Sequence, residues 1–154
     1  MTTEIERRWI VNVPPPKIVA IPAYNIVQNY LPSGLRTRAT SCDAAIDRTV
    51  TVYHLTVKKS ISGMTNHEVE VAVPAEIYEA ILPYRNRVMM KTRRIIPFDD
   101  LTIELDHFED GSWIAEIELP SEDYPVAVPD WFGEEITGDR EFTNYAMSRL
   151  VAGV

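Results

Sequence analysis

Pairs of like charges two residues apart recur along this chain, within segments rich in β-branched and aromatic residues. Side chains alternate between the two faces of a strand, so residues two apart share a face. Such pairs repel one another unless opposite charges or bound ions compensate for them. The like-charge pairs are Glu4 and Glu6, Arg36 and Arg38, Glu68 and Glu70, Lys91 and Arg93, Glu104 and Asp106, and Glu116 and Glu118. Arg8 shares the face of the first pair, and Lys58 adds a single base.

A solvated outer face is the simplest interpretation of any single one of these strands. Segregation by sign argues against it for the whole set, because a surface selected for solubility mixes both signs. If the charged faces instead line the interior of a closed barrel, opposite walls compensate each other. That interior would hold eight carboxylates and six bases, and its excess negative charge would repel an anionic ligand unless divalent cations were bound.

The prolines fall mostly between short periodic segments, and these segments predict eight strands, enough to close a small barrel. The predicted strands are Ile5–Val13, Asn25–Leu31, Gly34–Thr40, Thr49–Lys59, Glu68–Val73, Val88–Ile96, Leu101–Phe108 and Ser112–Leu119. Apolar stripes predict helices over Ala75–Arg87 and Asp139–Val151, and a third short helix is expected from Ser121. Residues 1–154 are therefore expected to form a single domain of the α+β class, mainly β.

Composition excludes several classes of protein. The formal net charge of -8 makes nucleic acid an unexpected partner, because binding to its backbone depends on basic surface. No apolar run approaches the roughly 18 residues that would suggest a membrane span. The single cysteine, Cys42, cannot form an internal disulfide, and the charged N-terminal segment does not resemble a signal peptide. We therefore expect a cytoplasmic protein without a membrane partner.

Carboxylates are the predicted metal ligands, and oxygen donors of this kind favour Mg²⁺ or Mn²⁺. A zinc site is not expected, because the histidines stand apart from one another in the sequence. They are expected to be surface or packing residues: His54, His67 and His107.

The charged motifs, taken in order, resemble those of the CYTH superfamily, the triphosphate tunnel metalloenzymes. Glu4-Ile-Glu-Arg-Arg8 is similar to its E-x-E-x-K signature. The other matching segments are Gln28-Asn-Tyr-Leu31, Leu35-Arg-Thr-Arg38, Leu55-Thr-Val-Lys58, Pro129-Asp-Trp-Phe-Gly133 and Ile136-Thr-Gly-Asp139 with Asn144. The resemblance implies an eight-stranded antiparallel closed barrel with helices packed outside. It also implies metal-dependent hydrolysis of a small triphosphate, above all inorganic tripolyphosphate to diphosphate and phosphate, and makes a homodimer plausible.

The resemblance also implies roles for the charged residues. One metal ion would be held by Glu4, Glu6 and Glu118, and a second by Asp106 and Glu116. The substrate would be bound by Arg8, Arg36, Arg38, Lys58, Lys91 and Arg93. The last two would also be catalytic, with Lys91 positioning or activating the attacking water. Supporting roles fall to Glu68, Glu70 and Glu104.

Two departures from the family pattern stand out. Arg8 replaces the terminal lysine of the signature, which keeps the charge but removes a potential base, because guanidinium does not deprotonate in proteins. Asn66 and His67 stand where the family commonly has an arginine before the second glutamate pair. One phosphate contact is therefore expected to be missing.

Several alternatives share every charged residue of the predicted site. A nucleoside or thiamine triphosphatase, or a class IV-type adenylate cyclase, would differ only in what holds the organic group. Stacking on an aromatic ring could do so, but the tryptophans are expected to pack outward instead: Trp9, Trp113 and Trp131. A different class of alternative is a module that binds a nucleotide or polyphosphate without hydrolysing it.

Overall fold

The fold was analysed in a computed structural model, which describes residues 1–44 and 48–152. Its strands are β1 (Thr2–Val11), β2 (Tyr24–Tyr30), β3 (Arg36–Ala44), β4 (Arg48–Ser60), β5 (Thr65–Val73), β6 (Arg87–Phe98), β7 (Leu101–Phe108), β8 (Trp113–Glu118) and β9 (Arg149–Leu150). Its helices are α1 (Pro16–Val19), α2 (Ala75–Ile81) and α3 (Asn144–Met147), with 3₁₀ turns at Leu82–Tyr84 and Arg140–Phe142.

The first eight strands form a closed antiparallel barrel in the order β2-β3-β4-β5-β1-β8-β7-β6, and pairing between β6 and β2 closes it. The predicted barrel is thus confirmed. The short strand β9 adds to it by pairing Arg149 and Leu150 with the start of β6.

The register of the strands puts the charged faces inside the barrel. Arg8 on β1 lies opposite Glu116 on β8, and Lys58 on β4 lies opposite Glu68 on β5. Every second residue of a strand shares a face, so the like-charged neighbours of these residues also point into the barrel. The alternating charged positions in the sequence are therefore the inward-facing positions of the strands.

The main hydrophobic core lies outside the barrel, against the wall made by β1, β8, β7 and β6. Leu105, Ala115 and Ile117 on this wall are fully buried, and Ile18 of α1 covers them together with the segment after β8. Trp9 belongs to this core, while Trp113 and Trp131 pack against it. The prediction that the tryptophans pack outward is confirmed.

A second, smaller apolar cluster fills one end of the barrel. Met89, Phe108 and Ile114 point inward there, and the C-terminal segment adds Ile136 and Phe142. The same segment approaches the β4–β5 hairpin closely at Gly138, whose φ of +74° favours glycine and where a Cβ would lie 2.9 Å from the Cα of Gly63. The cavity described below therefore has one end covered by the C-terminal segment.

The predicted helices were only partly right. The helix from Ala75 ends at Ile81 rather than at Arg87, because Pro83 lacks the N–H group that a longer helix requires. The region predicted as a helix over Asp139–Val151 instead contains a 3₁₀ turn, the short α3 and β9, since Thr143 and Ser148 are extended.

Around Ser121 the described chain forms turns instead of the predicted helix. The Ser121 hydroxyl donates to Asp123 (2.7 Å) within the turn. Two prolines follow, at Pro125 and Pro129, and disfavour helical conformation in the residues before them. Of the helices that the structure describes, none is long and apolar enough to cross a membrane.

Candidate active site in the barrel interior

A polar cavity of about 540 Å³ occupies the barrel interior. Eleven of the fourteen charged residues singled out in the sequence line it: Glu4, Glu6, Arg8, Arg36, Arg38, Lys58, Glu68, Glu70, Arg93, Glu104 and Glu116. The remaining three are not in its lining. Lys91 and Asp106 are buried in the wall, and Glu118 lines a neighbouring pocket at the rim with Asp100 and Glu104.

Lys58 bridges the acidic residues of β1. Its Nζ lies 2.8 Å from Oε2 of Glu4 and 3.5 Å from Oε1 of Glu6. Burial lowers the pKa of Lys58, but the three nearby carboxylates outweigh it and raise the pKa above its ordinary value. The lysine therefore stays charged and occupies the space between the two glutamates.

Glu6 on β1 and Glu116 on β8 form a pair of interacting carboxylates that are diagonal neighbours, since Glu6 lies directly opposite Glu118. Burial, and then the charge of Glu116, raise the pKa of Glu6 to about 8. Burial also opposes ionisation of Glu116, but Arg93 and Arg8 outweigh it and lower the pKa of Glu116 to about 2. At neutral pH, without a bound cation, the two carboxylates therefore hold one proton between them.

Asp106 joins the two bases of β6 in a compact ion-pair cluster, here called the β6–β7 cluster: Lys91, Arg93 and Asp106. Lys91 Nζ lies 2.7 Å from Asp106 Oδ2, while Arg93 donates from Nε to Oδ1 (2.7 Å) and from Nη2 to Oδ2 (2.8 Å). Although burial opposes its ionisation, the two cations hold the pKa of Asp106 well below its usual range.

Lys91 is enclosed by this cluster and does not reach the cavity lining. Its Nζ also donates to the side-chain oxygen of Asn144 (3.2 Å). Burial lowers the pKa of Lys91 to about 8, and Asp106 only partly offsets that effect. Arg93 differs in that it lines the cavity and also pairs with Glu104.

The opposite basic wall consists of Arg36 and Arg38 on β3, here called the β3 pair. Nη2 of Arg36 lies 3.8 Å from Glu68 and 3.7 Å from Glu70, and Nη1 of Arg38 lies 3.8 Å from Glu70. These distances exceed hydrogen-bonding range. Among the described residues, Nε and Nη2 of Arg36 are buried without an acceptor. Unlike the β6–β7 cluster, the β3 pair has donors left for a ligand.

The carboxylates of the cavity fit a hard divalent cation in their donor chemistry. The Glu6 and Glu116 pair, which shares a proton, is an arrangement in which such a cation would replace that proton. Among the described residues, however, no three carboxylate, histidine or cysteine side chains converge as a ready-made metal site. Lys58 lies beside Glu4 and Glu6, and Asp106 has both oxygens on Lys91 and Arg93. The two predicted ligand groupings stay predictions.

The cavity also contains uncharged residues that the charge pattern did not predict: Tyr30, Gly34, Thr56, Ser60, Asn66, Thr143, Asn144 and Tyr145. Asn66 occupies the position where the family commonly has an arginine, and it does line the cavity. Asn144 appeared in the sequence only as part of the closing motif. A polar residue on an inward strand position would have been the signal for Tyr30, Thr56 and Ser60, whereas the remaining three lie outside the strands.

Comparison with known proteins was made at the level of family models, sequences and structures. No family model matches the chain. An inorganic triphosphatase from Nitrosomonas europaea is 32% identical over 155 residues, which cover 95% of this chain and 97% of that protein. The chain belongs to the inorganic triphosphatase family of the CYTH superfamily.

A second member of the inorganic triphosphatase family, from Acetivibrio thermocellus, is 38% identical over 96 residues. That match spans 59% of this chain and 62% of the relative. Among solved structures, PH1012 from Pyrococcus horikoshii has a TM-score of 0.53 at 20% identity, covering 78% of this chain and 80% of that one. A conserved hypothetical protein from Pyrococcus furiosus gives 0.52 at 18% identity, with the same coverage. These two structures support the fold alone.

Proposed function

We propose that this protein hydrolyses a triphosphate with the help of a divalent metal ion, and that inorganic tripolyphosphate, cleaved to diphosphate and phosphate, is its substrate. The observation that carries the proposal is the polarity of the cavity: among the described residues, Arg36 has buried donors without an acceptor on one wall, and carboxylates line the other walls. The kinship with two proteins named inorganic triphosphatase supports the choice of substrate.

The bases of the cavity would bind the phosphate oxygens. The β3 pair is best suited, because its guanidinium groups have lost the hydration of bulk water without gaining close carboxylates. Planar guanidinium donors also match the oxygens of a phosphate in geometry. Lys58 and Arg93 would contribute from the other walls, while Arg8 supports the acidic side through Glu116 (3.4 Å).

The carboxylates at the acidic side would hold Mg²⁺ or Mn²⁺, with Glu4, Glu6, Glu116 and Glu118 as the ligands. Such a cation, when bound, neutralises phosphate oxygens and lowers the pKa of a bound water. The chain's own contribution is electrostatic: Arg8 and Arg93 favour the ionised form of Glu116, and Lys58 lies between Glu4 and Glu6.

Catalytic roles for Arg93 and Lys91 differ in this proposal. Arg93 would contact the phosphate directly, because it lines the cavity. Its guanidinium is already fixed by two hydrogen bonds to Asp106, so it would stabilise developing charge without reorganising. Lys91 would act indirectly, by holding Asp106 in the orientation that fixes Arg93.

Phosphate release from tripolyphosphate tests the proposal. Purified protein is assayed with Mg²⁺, Mn²⁺ and Ca²⁺ in turn, against a panel that includes ATP and thiamine triphosphate. We expect phosphate release from tripolyphosphate that requires the metal and is lost in Glu4→Gln and Glu118→Gln. Undiminished turnover in both variants would contradict the metal assignment.

The same panel separates the alternatives. Cyclic AMP from ATP would indicate a cyclase, whereas ADP and phosphate would indicate a nucleoside triphosphatase. Calorimetric binding of tripolyphosphate without phosphate release under any metal would indicate a binding module and would overturn the proposal.

A further inference from the structure

Gln28 on β2 is a fully buried polar residue whose side chain points into the barrel, and no charge pattern accounts for it. It lies opposite Arg38 on β3. With the amide oriented so that its oxygen faces the guanidinium, Oε1 accepts from Nη2 (3.0 Å) and Nε (3.1 Å) of Arg38. The opposite orientation would set the amide NH₂ against guanidinium donors, so we assign the oxygen to this side.

Arg38 is therefore held in a way that differs from Lys58 and Arg93. Lys58 and Arg93 each have a carboxylate oxygen within 2.8 Å, while the carboxylate paired with Arg38, Glu70, lies 3.8 Å away. A neutral amide thus supplies the two short contacts to Arg38. An amide fixes the orientation of a guanidinium but leaves its positive charge uncompensated.

The electrostatic surroundings of Arg38 agree with this difference. Burial, followed by the like charges of Arg36 and Arg93, lowers the pKa of Arg38 below its ordinary value. Glu70 and Glu68 oppose that effect without cancelling it. A charge in such a place is stabilised by the arrival of an anion, and one that is already oriented binds the anion with less loss of entropy.

We propose that Gln28 is a positioning residue that presents Arg38 to the triphosphate with its charge uncompensated. The inference rests on the proposed function, since it assigns Arg38 to binding of the polyphosphate. It adds that the amide at this position sets the affinity, because a carboxylate there would hold the guanidinium equally well and neutralise it. Gln28 itself need not contact the substrate.

Two substitutions separate orientation from charge. Gln28→Glu keeps the shape of the side chain and an oxygen that can accept both hydrogen bonds from Arg38, but adds a negative charge. Gln28→Met keeps the approximate size and removes the acceptor. Gln28→Met loses hydrogen bonds to a charged group, which corresponds to about a tenfold change in affinity, so it is expected to raise the KM and the Kd for tripolyphosphate by about that factor. Gln28→Glu neutralises Arg38 and is expected to raise both values at least as much, because the anion then meets a compensated charge. The value of kcat should change less than KM in both.

Thermal stability then distinguishes positioning from a structural role. Gln28→Glu should melt at or above the wild-type temperature, because it gains an ion pair with Arg38, and yet bind more weakly. A purely structural role predicts that a variant as stable as the wild type also binds tripolyphosphate as tightly as the wild type. Asn29→Leu is the matched control: Asn29 is equally buried on the same strand but bonds Thr37 and Tyr78 outside the cavity (3.2 and 2.9 Å). It should lower the melting temperature and leave KM unchanged.

The experiment measures Kd for tripolyphosphate by calorimetry alongside steady-state hydrolysis. A stable Gln28→Glu variant with KM and Kd within about twofold of wild type, well below the tenfold effect of losing a charged hydrogen bond, would overturn the inference. If phosphate release is normal in that case, the proposed function stands. If the wild type binds tripolyphosphate but does not hydrolyse it, and Gln28→Glu weakens that binding, the proposed hydrolysis fails and the inference about Gln28 stands.

Discussion

The β6–β7 cluster and the β3 pair begin from the same sequence pattern, two bases separated by one residue on an inward-facing strand. In the cluster, Lys91 and Arg93 meet Asp106 at 2.7–2.8 Å. In the β3 pair, Arg36 and Arg38 have their carboxylates at 3.7–3.8 Å. A difference of about 1 Å in pairing distance separates groups whose charge is compensated by a close carboxylate from groups whose charge is left for a ligand, although Arg93 of the first set also lines the cavity.

The comparison shows that buried charges in one cavity can have two different roles, structural pairing within the protein and binding of a ligand. In a close, hydrogen-bonded ion pair, the partner already offsets part of the free-energy cost of desolvation. In a loosely paired cation that cost is not offset, so the binding of an anion offsets it instead. The sequence pattern counts the charges, but only the partners across the barrel decide which use each charge has.

Asp106→Asn should produce the largest effect on stability. The substitution leaves Lys91 and Arg93 buried without their main counter-charge, and removal of one partner from a buried ion pair costs about 3–5 kcal/mol. We expect the free energy of unfolding in urea, measured without metal, to fall by about that amount. Lys91→Met in the Asp106→Asn background should restore part of the loss, because it removes one of the two unpaired cations.

Glu70→Gln is the matched change on the opposite wall. Its pairs with the β3 arginines are long and partly exposed, and such pairs contribute about 0–1 kcal/mol. A loss as large as that of Asp106→Asn would show that the two walls are equally paired and would break the comparison.

Arg36→Met should affect ligand binding more than folding. The side chain carries buried donors without an acceptor, so its removal costs little in the free protein, and it relieves repulsion of Arg38. The Kd for tripolyphosphate should rise about tenfold to a hundredfold, in line with about 1.5–3 kcal/mol for hydrogen bonds to charged groups. Calorimetry and thermal melting of the same sample check both statements; a large drop in melting temperature would contradict the assignment.

Much of this arrangement could be predicted from the sequence, because a strand's two-residue period is local information. The inward faces of β1, β3 and β5 follow from alternation together with the segregation of charges by sign, and the closed barrel follows from the number of strands. The family motifs then indicated the chemistry. What alternation cannot give is the partner across the barrel, since Arg93 and Asp106, or Gln28 and Arg38, meet through pairings that only the folded chain fixes.

The C-terminal segment shows a second limit of prediction. Its apolar residues recur at helical spacing, and the segment was therefore predicted to be one helix. In the structure, Ile136, Phe142 and Met147 instead cover one end of the barrel, and the backbone bends at Thr143 and Ser148 to allow it. Tertiary packing overrides local periodicity in short segments of this kind.

The Glu6 and Glu116 pair predicts how stability depends on pH without metal. The folded-state pKa of Glu116, lowered to about 2, adds stability as pH rises from about 2 to 4.5. That of Glu6, raised to about 8, removes stability as pH rises from 4.5 to about 8. The loss across the second window should amount to a few kcal/mol, with an upper bound of about 5 kcal/mol, since one pKa unit corresponds to about 1.36 kcal/mol.

Melting temperatures in chelator across pH 5 to 8, the upper window set by the raised pKa of Glu6, measure this loss. Glu6→Gln should flatten the decline, because the amide cannot ionise. Addition of Mg²⁺ should flatten it in the wild type by taking the place of the shared proton. An equally steep decline in Glu6→Gln would assign the effect to other groups, such as Glu104, whose pKa burial raises to about 7.

Arg8→Lys should have the smallest effect on stability. It tests whether Arg8 acts structurally, as the β6–β7 cluster does, or binds the ligand, as the β3 pair does. Arg8 donates from Nη1 to the carbonyl of Phe142 (2.7 Å), while its Nε lies 3.4 Å from Glu116. A lysine at this position would keep the charge near Glu116 but could not also hold the carbonyl of the C-terminal segment. We expect a loss of about 1 kcal/mol in the free energy of unfolding, the usual contribution of one hydrogen bond. Hydrogen exchange should localise that loss to residues 140–148, and the KM for tripolyphosphate should be nearly unchanged. An increase in KM without faster exchange would instead group Arg8 with the β3 pair, as a residue that binds phosphate directly.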